Sequence, residues 1–286
     1  DVLERKGSAL EVEVTFNRPD CLNIVGMARE TAATLGAKFR FPEIEIKNEE
    51  GNIKDYLNAV EIGDENLCSR FYVRVIKDIK IGPSPLWMQR TLMDAGMRPI
   101  NNIVDVTNFV MLELGQPLHA YDLEALEGRK LIARRAEENE KIVTIDKAER
   151  NLNSNMLVIA DAVKPACIAG VMGGYYSEIS DDTKIMALET ANFNPKSIRE
   201  TSKKLGMRSE ASARNEKPLA YVMCEVASNR ACQLIEMIGA GTVVGGYLEA
   251  GKSEYEPTVV TLRPHRSTSL LGVEIPVANM LKSLNT

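Results

Sequence analysis

Residues Arg98–Asp122 read RPINNIVDVTNFVMLELGQPLHAYD, and the rest of the chain is organised around this stretch. Asp105 is a favourable N-cap residue, and the apolar segment Val106–Leu114 has the length of about two and a half helical turns. Gly115 and Pro117 then supply a C-terminal stop signal. We therefore predict a helix over Val106–Leu114, capped by Asp105 and followed by a loop.

Polar side chains gather around this predicted helix. Thr107 and Asn108 fall in its first turn, and His119, one of two histidines in the chain, falls on the loop that returns past it. Backbone N–H groups at a helix start favour polar ligands, and an imidazole opposite them titrates near neutral pH. The pattern indicates a site for a small polar ligand. It fits equally well a structural role, in which asparagines cap turns and His119 is a hydrogen-bonded core residue.

The residues before this stretch predict a short unit of their own. Glu11–Phe16 alternates polar and apolar residues, as a half-buried strand does. Asp20 is the predicted cap of a helix that ends at Gly36, and residues 47–52 are polar enough for a linker. We place the start of the main domain near Asp55.

The main domain shows strand and helix signals on both sides of Arg98–Asp122. A helix is predicted to start at Ser84-Pro85 and to end at Gly96. Two more are predicted, one from Asn194-Pro195 to Leu205 before Gly206, and one over residues 218–238. Runs of Val, Ile and Leu between turn residues predict strands at Phe71–Ile76, Lys130–Arg135, Lys141–Ile145, Leu157–Ala160, Ala166–Met172 and Thr242–Leu248.

These elements predict an α+β fold in which mixed β-sheets are flanked by helices. Three regions are expected. Residues 1–54 form an N-terminal strand-helix segment with its linker, and residues 55–250 form the main domain. A second linker at residues 250–257 leads into residues 251–286, the truncated start of a further small α/β module with a helix over Pro276–Leu284.

Composition narrows the class of protein. With 44% hydrophobic and 26% charged residues and no apolar run of membrane-spanning length, we expect a soluble globular protein with no membrane partner. Five widely spaced cysteines without a C-x-x-C pair indicate reduced thiols and a cytoplasmic location. Two histidines make a metal site improbable, so none is predicted. The absence of an initial methionine predicts a fragment of a longer chain.

Charge is distributed unevenly along the chain. The net charge of -5 argues against a protein that coats nucleic acid over a whole face. Between Lys196 and Lys217, however, seven basic residues stand against three acidic ones. Such a run is either a solvated helix face or a local contact for nucleic acid.

Five ordered segments carry a family resemblance: Asn17–Leu22, Gly82–Trp87, Val104–Asp122, Ala169–Gly174 and Arg208–Ser212. Together they resemble the bacterial-type phenylalanine-tRNA ligase beta subunit in its editing region. In that family this region hydrolyses tyrosine wrongly attached to the phenylalanine tRNA, at a site separate from synthesis. The resemblance therefore implies a deacylase function for residues 55–250, within a ligase subunit that does not itself synthesise.

The resemblance also implies roles for particular residues. His119, Thr107 and Asn108 are the catalytic candidates, which match residues lining the pocket and facing the terminal adenosine. Glu189 matches the carboxylate that recognises the tyrosine hydroxyl, and the small residues Gly170 and Ala211 match pocket walls. A site built on such a hydroxyl bond can discriminate by roughly 10⁴ to 10⁵, because phenylalanine leaves the carboxylate unpaired. Taken alone, Glu189 also fits a surface ion pair at a strand end.

Partners follow from the same resemblance. Contact with the phenylalanine tRNA is expected, with an alpha subunit as partner in an alpha2-beta2 heterotetramer. The complete enzyme uses ATP and Mg²⁺ at a synthetic site on the other subunit, and no cofactor is expected in this fragment. The tRNA-contact candidates are Lys196, Arg199, Lys203 and Arg208.

The alternative is a non-catalytic module of the same fold that binds tRNA or a partner. The chain has no G-x-S-x-G elbow, phosphate loop or H-E-x-x-H motif, but ester hydrolysis can proceed with a positioned water. One departure from the family follows Arg208–Ser212. There the family has an aromatic-rich segment, whereas Ala213–Lys217 runs directly into Pro218, which indicates a shortened loop or a break in the chain.

Overall fold

Short helices and strands alternate along residues 8–255 and 257–284, which are the residues that this computed structural model describes. The helices are α1 Ile24–Leu35, α2 Leu86–Asp94, α3 Asn102–Leu114, α4 Pro195–Leu205, α5 Glu210–Asn215, α6 Met223–Met237, α7 Pro264–Leu271 and α8 Val277–Leu284. The strands are β1 Glu49–Glu50, β2 Ala59–Ile62, β3 Cys68–Lys77, β4 Leu118–Asp122, β5 Lys130–Arg135, β6 Lys141–Val143, β7 Glu149–Asn151, β8 Leu157–Ala160, β9 Pro165–Ile168, β10 Met172–Gly173, β11 Met186–Phe193, β12 Thr242–Val244 and β13 Leu248–Gly251.

Two mixed sheets organise these elements. The central sheet has the order β1-β12-β3-β11-β4, and β13 also pairs with β3. Its β11 is antiparallel to both β3 and β4, whereas β1 and β12 are parallel. The second sheet has the order β10-β9-β8-β5-β2, with β2 parallel to β5, and β6 with β7 forms a separate hairpin. Helices flank the central sheet, so the predicted α+β fold is confirmed.

The central sheet is buried on both faces, as alternation along β11 shows. Met186 and Leu188 belong to the core shared with the helices, whereas Ala187 and Ala191 belong to the core shared with the second sheet. Successive strand residues point to opposite faces, so each face of β11 has its own apolar layer. On the helix side the layer is completed by residues of α3 and α6, which are Ile103, Val106, Val110, Ala227, Ala231 and Ile235.

Helix α3 starts earlier than predicted, and Asp105 is not its cap. The Asn101 side chain accepts hydrogen bonds from the backbone N–H groups of Ile103 and Val104, at 3.1 and 2.9 Å, and so caps the helix. Asp105 is buried in the first turn, where its carboxylate accepts from the Ser84 hydroxyl at 2.5 Å and from the Ile100 N–H at 2.8 Å. An upstream asparagine therefore caps α3, and Asp105 ties the helix to the segment before α2.

One predicted strand and the predicted caps of two further helices also differ from the structure. Glu11–Phe16 forms no strand, because it lies exposed and pairs with no described strand. Asn23 rather than Asp20 caps α1, since its side chain accepts from the Gly26 N–H at 2.7 Å. The Ser84 hydroxyl is used by Asp105, and α2 has no side-chain cap. Tertiary contacts therefore decide which polar side chain near a helix start becomes its cap.

Several boundaries also move. Residues 49–50, predicted as linker, pair with β12, and residues 250–251 belong to β13. The helix predicted over residues 218–238 begins only at Met223, and the strand predicted over residues 242–248 divides into β12 and β13. His119 lies on strand β4 rather than on a loop. At the departure from the family after Arg208–Ser212, the Leu219 N–H donates to the Lys217 carbonyl at 2.9 Å.

The remaining helix signals are confirmed. Asn194 caps α4 through its side chain, and Gly206 ends that helix in the left-handed region at a φ of 63°. Gly36 and Gly115 end α1 and α3 in the same way, at 65° and 80°. Left-handed backbone carries little strain in glycine, which makes it a dependable stop signal. Over the two described ranges, no helix is both long and apolar enough to cross a membrane.

We expect Asp105→Ala to lower the free energy of unfolding by about 3 kcal/mol, because the buried Ser84 hydroxyl and the part-buried Ile100 N–H both lose their acceptor. Urea denaturation of the 286-residue chain measures this. Asp182→Ala is the matched control, since that residue is exposed in a turn and should cost no more than about 0.5 kcal/mol. Equal losses for the two variants would contradict the assigned role of Asp105.

Candidate functional site

A cavity of about 350 Å³ lies where α3, β4 and β11 meet the loop after β9 and the start of α5. Small-molecule sites in proteins begin at roughly this volume. The cavity brings together all six residues that the sequence selected for a shared pocket, which are Thr107, Asn108, His119, Gly170, Glu189 and Ala211. They come from five structural elements, which are α3, β4, the loop after β9, β11 and α5.

Helix α3 presents one stripe to the cavity and another to the core. Val104, Thr107, Asn108 and Met111 line the cavity at the i, i+3, i+4 and i+7 positions of one helix face. The Thr107 hydroxyl donates to the Val104 carbonyl at 2.8 Å. Thr107 and Asn108 lie beyond the first turn, contrary to the prediction, because α3 begins at Asn102. No hydrogen bond joins the Asn108 side chain to another described residue, so its amide is available to a ligand.

Strands β4 and β11 place two titratable residues of the cavity, Glu189 and His119, opposite one another. In their antiparallel register Glu189 faces His119 directly, and Tyr121 is opposite Ala187. Directly opposed residues project from the same face of a sheet, and residues two apart on a strand share that face. Glu189, His119 and Tyr121 therefore form a polar group on a face that is otherwise apolar.

The Glu189 carboxyl is buried, with its side chain only 5% exposed. The hydroxyl of Tyr121 donates a hydrogen bond to Glu189 Oε2. Burial raises the pKa of Glu189 to about 7, and the hydrogen bond from Tyr121 acts in the opposite direction. Glu189 therefore exchanges between its ionised and neutral forms near neutral pH. Its Oε1 has no hydrogen-bond partner among residues 8–255 and 257–284.

His119 is held as a neutral imidazole. Its ring meets the ring of Tyr121 edge to face, with 4.5 Å between the centroids. The Nε2 atom is enclosed and has no hydrogen-bond partner in the described part of the chain. Burial lowers the pKa of His119 to about 4, so at pH 7 the ring carries no charge. The site thus contains an unpaired imidazole nitrogen close to a carboxyl group.

Glycines keep the opposite wall close. A Cβ atom on Gly173 would lie 2.5 Å from Cε1 of the His119 ring, so only glycine leaves room for that ring. Gly170 has a φ of 66°, and the Asn215 side-chain amide donates to its carbonyl at 3.3 Å. The hydroxyl of Ser209 donates to the next carbonyl, of Val171, at 2.9 Å. The start of α5, which carries Ala211, is thereby fastened to the glycine loop.

The predicted tRNA-contact residues lie outside the cavity. Lys196, Arg199 and Lys203 are exposed on one face of α4, and Arg208 is exposed just before α5. Arg208 directly precedes Ser209, which lines the cavity. Lys196, with 84% of its side chain exposed, forms an ion pair with Glu200 at 3.8 Å. A pair so exposed contributes little stability, so Lys196 remains free to exchange partners.

Sequence reasoning did not single out Tyr121, Cys167 or Gly173. Cys167 lines the cavity, and Tyr121 lies behind Glu189, where it is fully buried. A usable signal existed for Tyr121. In His119-Ala120-Tyr121 the two aromatic rings are two residues apart, which places them on one face once the segment is recognised as a strand. No three His, Cys, Asp or Glu side chains of residues 8–255 and 257–284 are grouped so as to hold a metal ion.

The comparisons with known proteins agree with this arrangement. A family model described as B3/4 domain matches residues 67–240, which include β4, β11 and the whole glycine loop. The chain belongs to the B3/4 domain family. The matched range contains all six cavity residues named above.

Beyond the B3/4 domain itself, the whole chain is similar to phenylalanine-tRNA ligase beta subunits, which confirms the resemblance drawn from the sequence. The protein of that name from Clostridium acetobutylicum is 46% identical over 286 residues, covering 100% of this chain and 36% of that protein. The one from Moorella thermoacetica is 45% identical over 284 residues, covering 99% of this chain and 35% of that protein. The chain therefore spans about a third of the length of these relatives.

This chain is also similar to a solved structure. It is an N-terminal fragment of the phenylalanyl-tRNA synthetase beta-subunit from Pyrococcus horikoshii, with a TM-score of 0.44 and 12% sequence identity. The similarity covers 94% of this chain and 74% of the fragment.

In the B3/4 domain we expect Gly173→Ala to displace the His119 ring, because the added methyl group would occupy its position. The His119 Cε1–H resonance, which lies in the ring-current field of Tyr121, should shift in ¹H–¹³C NMR spectra. Gly82→Ala is the control, because a Cβ atom there meets no atom within 4 Å. An unchanged His119 resonance in Gly173→Ala would show that the ring does not depend on this glycine.

Proposed function

We propose that the cavity edits mischarged tRNA by hydrolysing the ester of tyrosine attached to the phenylalanine tRNA. The observation that carries this proposal is the Glu189 carboxyl, which is buried in the cavity with one oxygen paired and the other free. The names of the relatives support the choice of tRNA, since they are phenylalanine-tRNA ligase beta subunits.

Specificity in this proposal comes from the free oxygen of Glu189. The phenolic hydroxyl of a bound tyrosine donates to Oε1, while Tyr121 continues to occupy Oε2. Phenylalanine has no hydroxyl, so its ring leaves Oε1 buried and unpaired, at a desolvation cost of about 1–3 kcal/mol or more. The site therefore selects tyrosine over phenylalanine through this hydrogen bond rather than through the size of the pocket.

Hydrolysis requires a water molecule placed beside the ester carbonyl. The water oxygen bonds to the carbonyl carbon, the bond from that carbon to the ribose oxygen breaks, and the ribose oxygen takes a proton. His119 suits the positioning of this water, because its imidazole lines the cavity. Its lowered pKa, about 4, makes it a weak base, so we assign it an orienting role. We assign the terminal adenosine to Thr107 and Asn108, which line the cavity.

We further propose that the exposed basic face of α4 approaches the acceptor end of the tRNA. Lys196, Arg199 and Lys203 lie at i, i+3 and i+7, so they can follow one phosphate backbone. Arg208 leads from this face to the rim of the cavity. For the complete protein we propose a cytoplasmic alpha2-beta2 heterotetramer with an alpha subunit. ATP and Mg²⁺ would then serve a synthetic site outside this chain.

Paired deacylation assays with Tyr-tRNA and Phe-tRNA test the editing proposal in the complete enzyme. Glu189→Ala should slow hydrolysis of Tyr-tRNA by about ten- to a hundred-fold and reduce the preference over Phe-tRNA, because one hydrogen bond to a charged group is lost. His119→Ala should slow both substrates by a similar factor, because a group that holds the water does not contact the para position of the ring. Equal losses on both substrates for Glu189→Ala would remove it from the specificity role. A wild-type enzyme that binds but hydrolyses neither substrate would point to the binding module instead.

The tRNA surface is tested by Arg199→Glu combined with Lys203→Glu. We expect weaker tRNA binding and a salt dependence whose slope falls by about two, because each substitution leaves one phosphate without its basic partner. Lys38→Glu combined with Arg40→Glu is the control for net charge, since it changes the charge by the same amount and both residues are exposed on the segment after α1. Binding is measured by filter retention across a salt series. An identical effect of the control would mean that only the net charge matters.

A further inference from the structure

Tyr121 lies behind the cavity and contacts two of its lining residues, Glu189 and His119. It is fully buried, with no exposed surface, and it does not line the cavity itself. Its hydroxyl donates a hydrogen bond to Glu189 Oε2, and its ring contacts the ring of His119 edge to face. The register of β4 and β11 sets this geometry, because Tyr121 follows His119 by two residues on the same face. A single side chain thus touches both Glu189 and His119.

No cationic side chain of residues 8–255 and 257–284 stabilises the charge of Glu189. The titratable groups that face it within these ranges are the Tyr121 hydroxyl and His119 from β4 and the thiols of three cysteines. These are Cys68 on β3, Cys167 on β9 and Cys224 on α6. Burial raises the pKa of each thiol and lowers that of His119, so all of them are neutral at pH 7. The hydrogen bond from Tyr121 is therefore the interaction that favours the ionised carboxylate.

We propose that Tyr121 is a positioning residue for substrate selection: its hydroxyl occupies Glu189 Oε2, keeps the carboxylate ionised and leaves only Oε1 for a phenolic ligand. This inference rests on the proposed function and concerns the same site. An ionised Oε1 accepts strongly from a phenol. A neutral carboxyl group carries a proton of its own and accepts weakly, so it distinguishes tyrosine from phenylalanine less well.

The selection for tyrosine should depend on pH in a defined direction. The pKa of Glu189 is raised to about 7, so selection for tyrosine should weaken as the pH falls through that value. Removal of the Tyr121 hydroxyl takes away a bond to the charged form and raises the pKa further. A hydrogen bond of this kind corresponds to about one to two pH units. Tyr121→Phe should therefore move the loss of selection to higher pH by that amount.

The first measurement does not depend on catalysis. In the 286-residue chain labelled with ¹³C at the glutamate carboxyl carbons, the Glu189 signal is assigned by its absence in Glu189→Gln. Its titration midpoint should rise by about one to two pH units in Tyr121→Phe. Tyr72→Phe is the matched control, because Tyr72 is equally buried but its hydroxyl has no hydrogen-bond partner in the described chain. A midpoint that is unchanged in Tyr121→Phe, or moved equally by Tyr72→Phe, would overturn the proposal.

The second measurement is the ratio of Tyr-tRNA to Phe-tRNA deacylation in the complete enzyme, from about pH 6 to about pH 9. In Tyr121→Phe this ratio should be reduced at pH 7 and should recover at high pH. A uniform reduction at every pH would indicate a structural role and contradict the proposal. Glu189→Gln checks the same point without changing Tyr121, since the ratio should lose its dependence on pH. A dependence that persisted in Glu189→Gln would also refute the proposal.

The two experiments separate the inference from the proposed function. If the Glu189 midpoint moves in Tyr121→Phe but the wild-type enzyme hydrolyses neither charged tRNA, the editing function fails and the effect of Tyr121 on the carboxylate stands. If hydrolysis is selective but the midpoint does not move, the editing function stands and the role of Tyr121 is wrong.

Discussion

The structure depends on the register between β4 and β11, because this pairing places a carboxyl group inside the protein. Strand β11 is hydrogen-bonded on both sides and covered on both faces, so Glu189 has no path to solvent except through the cavity. A shift of β4 by one residue would turn His119 and Tyr121 to the helix side, where α3 and α6 pack, and away from Glu189. The close packing of both apolar layers therefore fixes the register that places Glu189 and His119 at the cavity.

A buried carboxyl group without a cation is unfavourable for stability. The chain compensates in part through Tyr121, whose hydroxyl donates to Oε2, while Oε1 of Glu189 and the enclosed Nε2 of His119 have no hydrogen-bond partner among the described residues. Buried polar atoms in folded proteins nearly always have partners, so these two groups carry a local cost. The stability of the two apolar cores sustains this local cost.

Helix α3 links the core and the site. One of its stripes packs on the central sheet, and the stripe with Thr107 and Asn108 lines the cavity. Asp105 fastens the start of the same helix to the preceding segment, and the glycines at positions 170 and 173 bring the facing loop within contact distance. The dimensions of the cavity are therefore set by elements that core packing and the hydrogen bonds of Asp105 hold in place.

Local sequence determined the features that depend on a few neighbouring residues. The cap at Asn194 and the stops at Gly36, Gly115 and Gly206 were predictable, because capping and left-handed turns involve groups within about four residues. The family resemblance likewise selected six of the residues that line the cavity. Tertiary structure alone decided which polar groups meet. It gave Asp105 a hydroxyl partner instead of a capping role, left Glu11–Phe16 without a partner strand, and set Tyr121 against Glu189. Strand pairing and burial join residues far apart in the chain, and no local pattern records those neighbours.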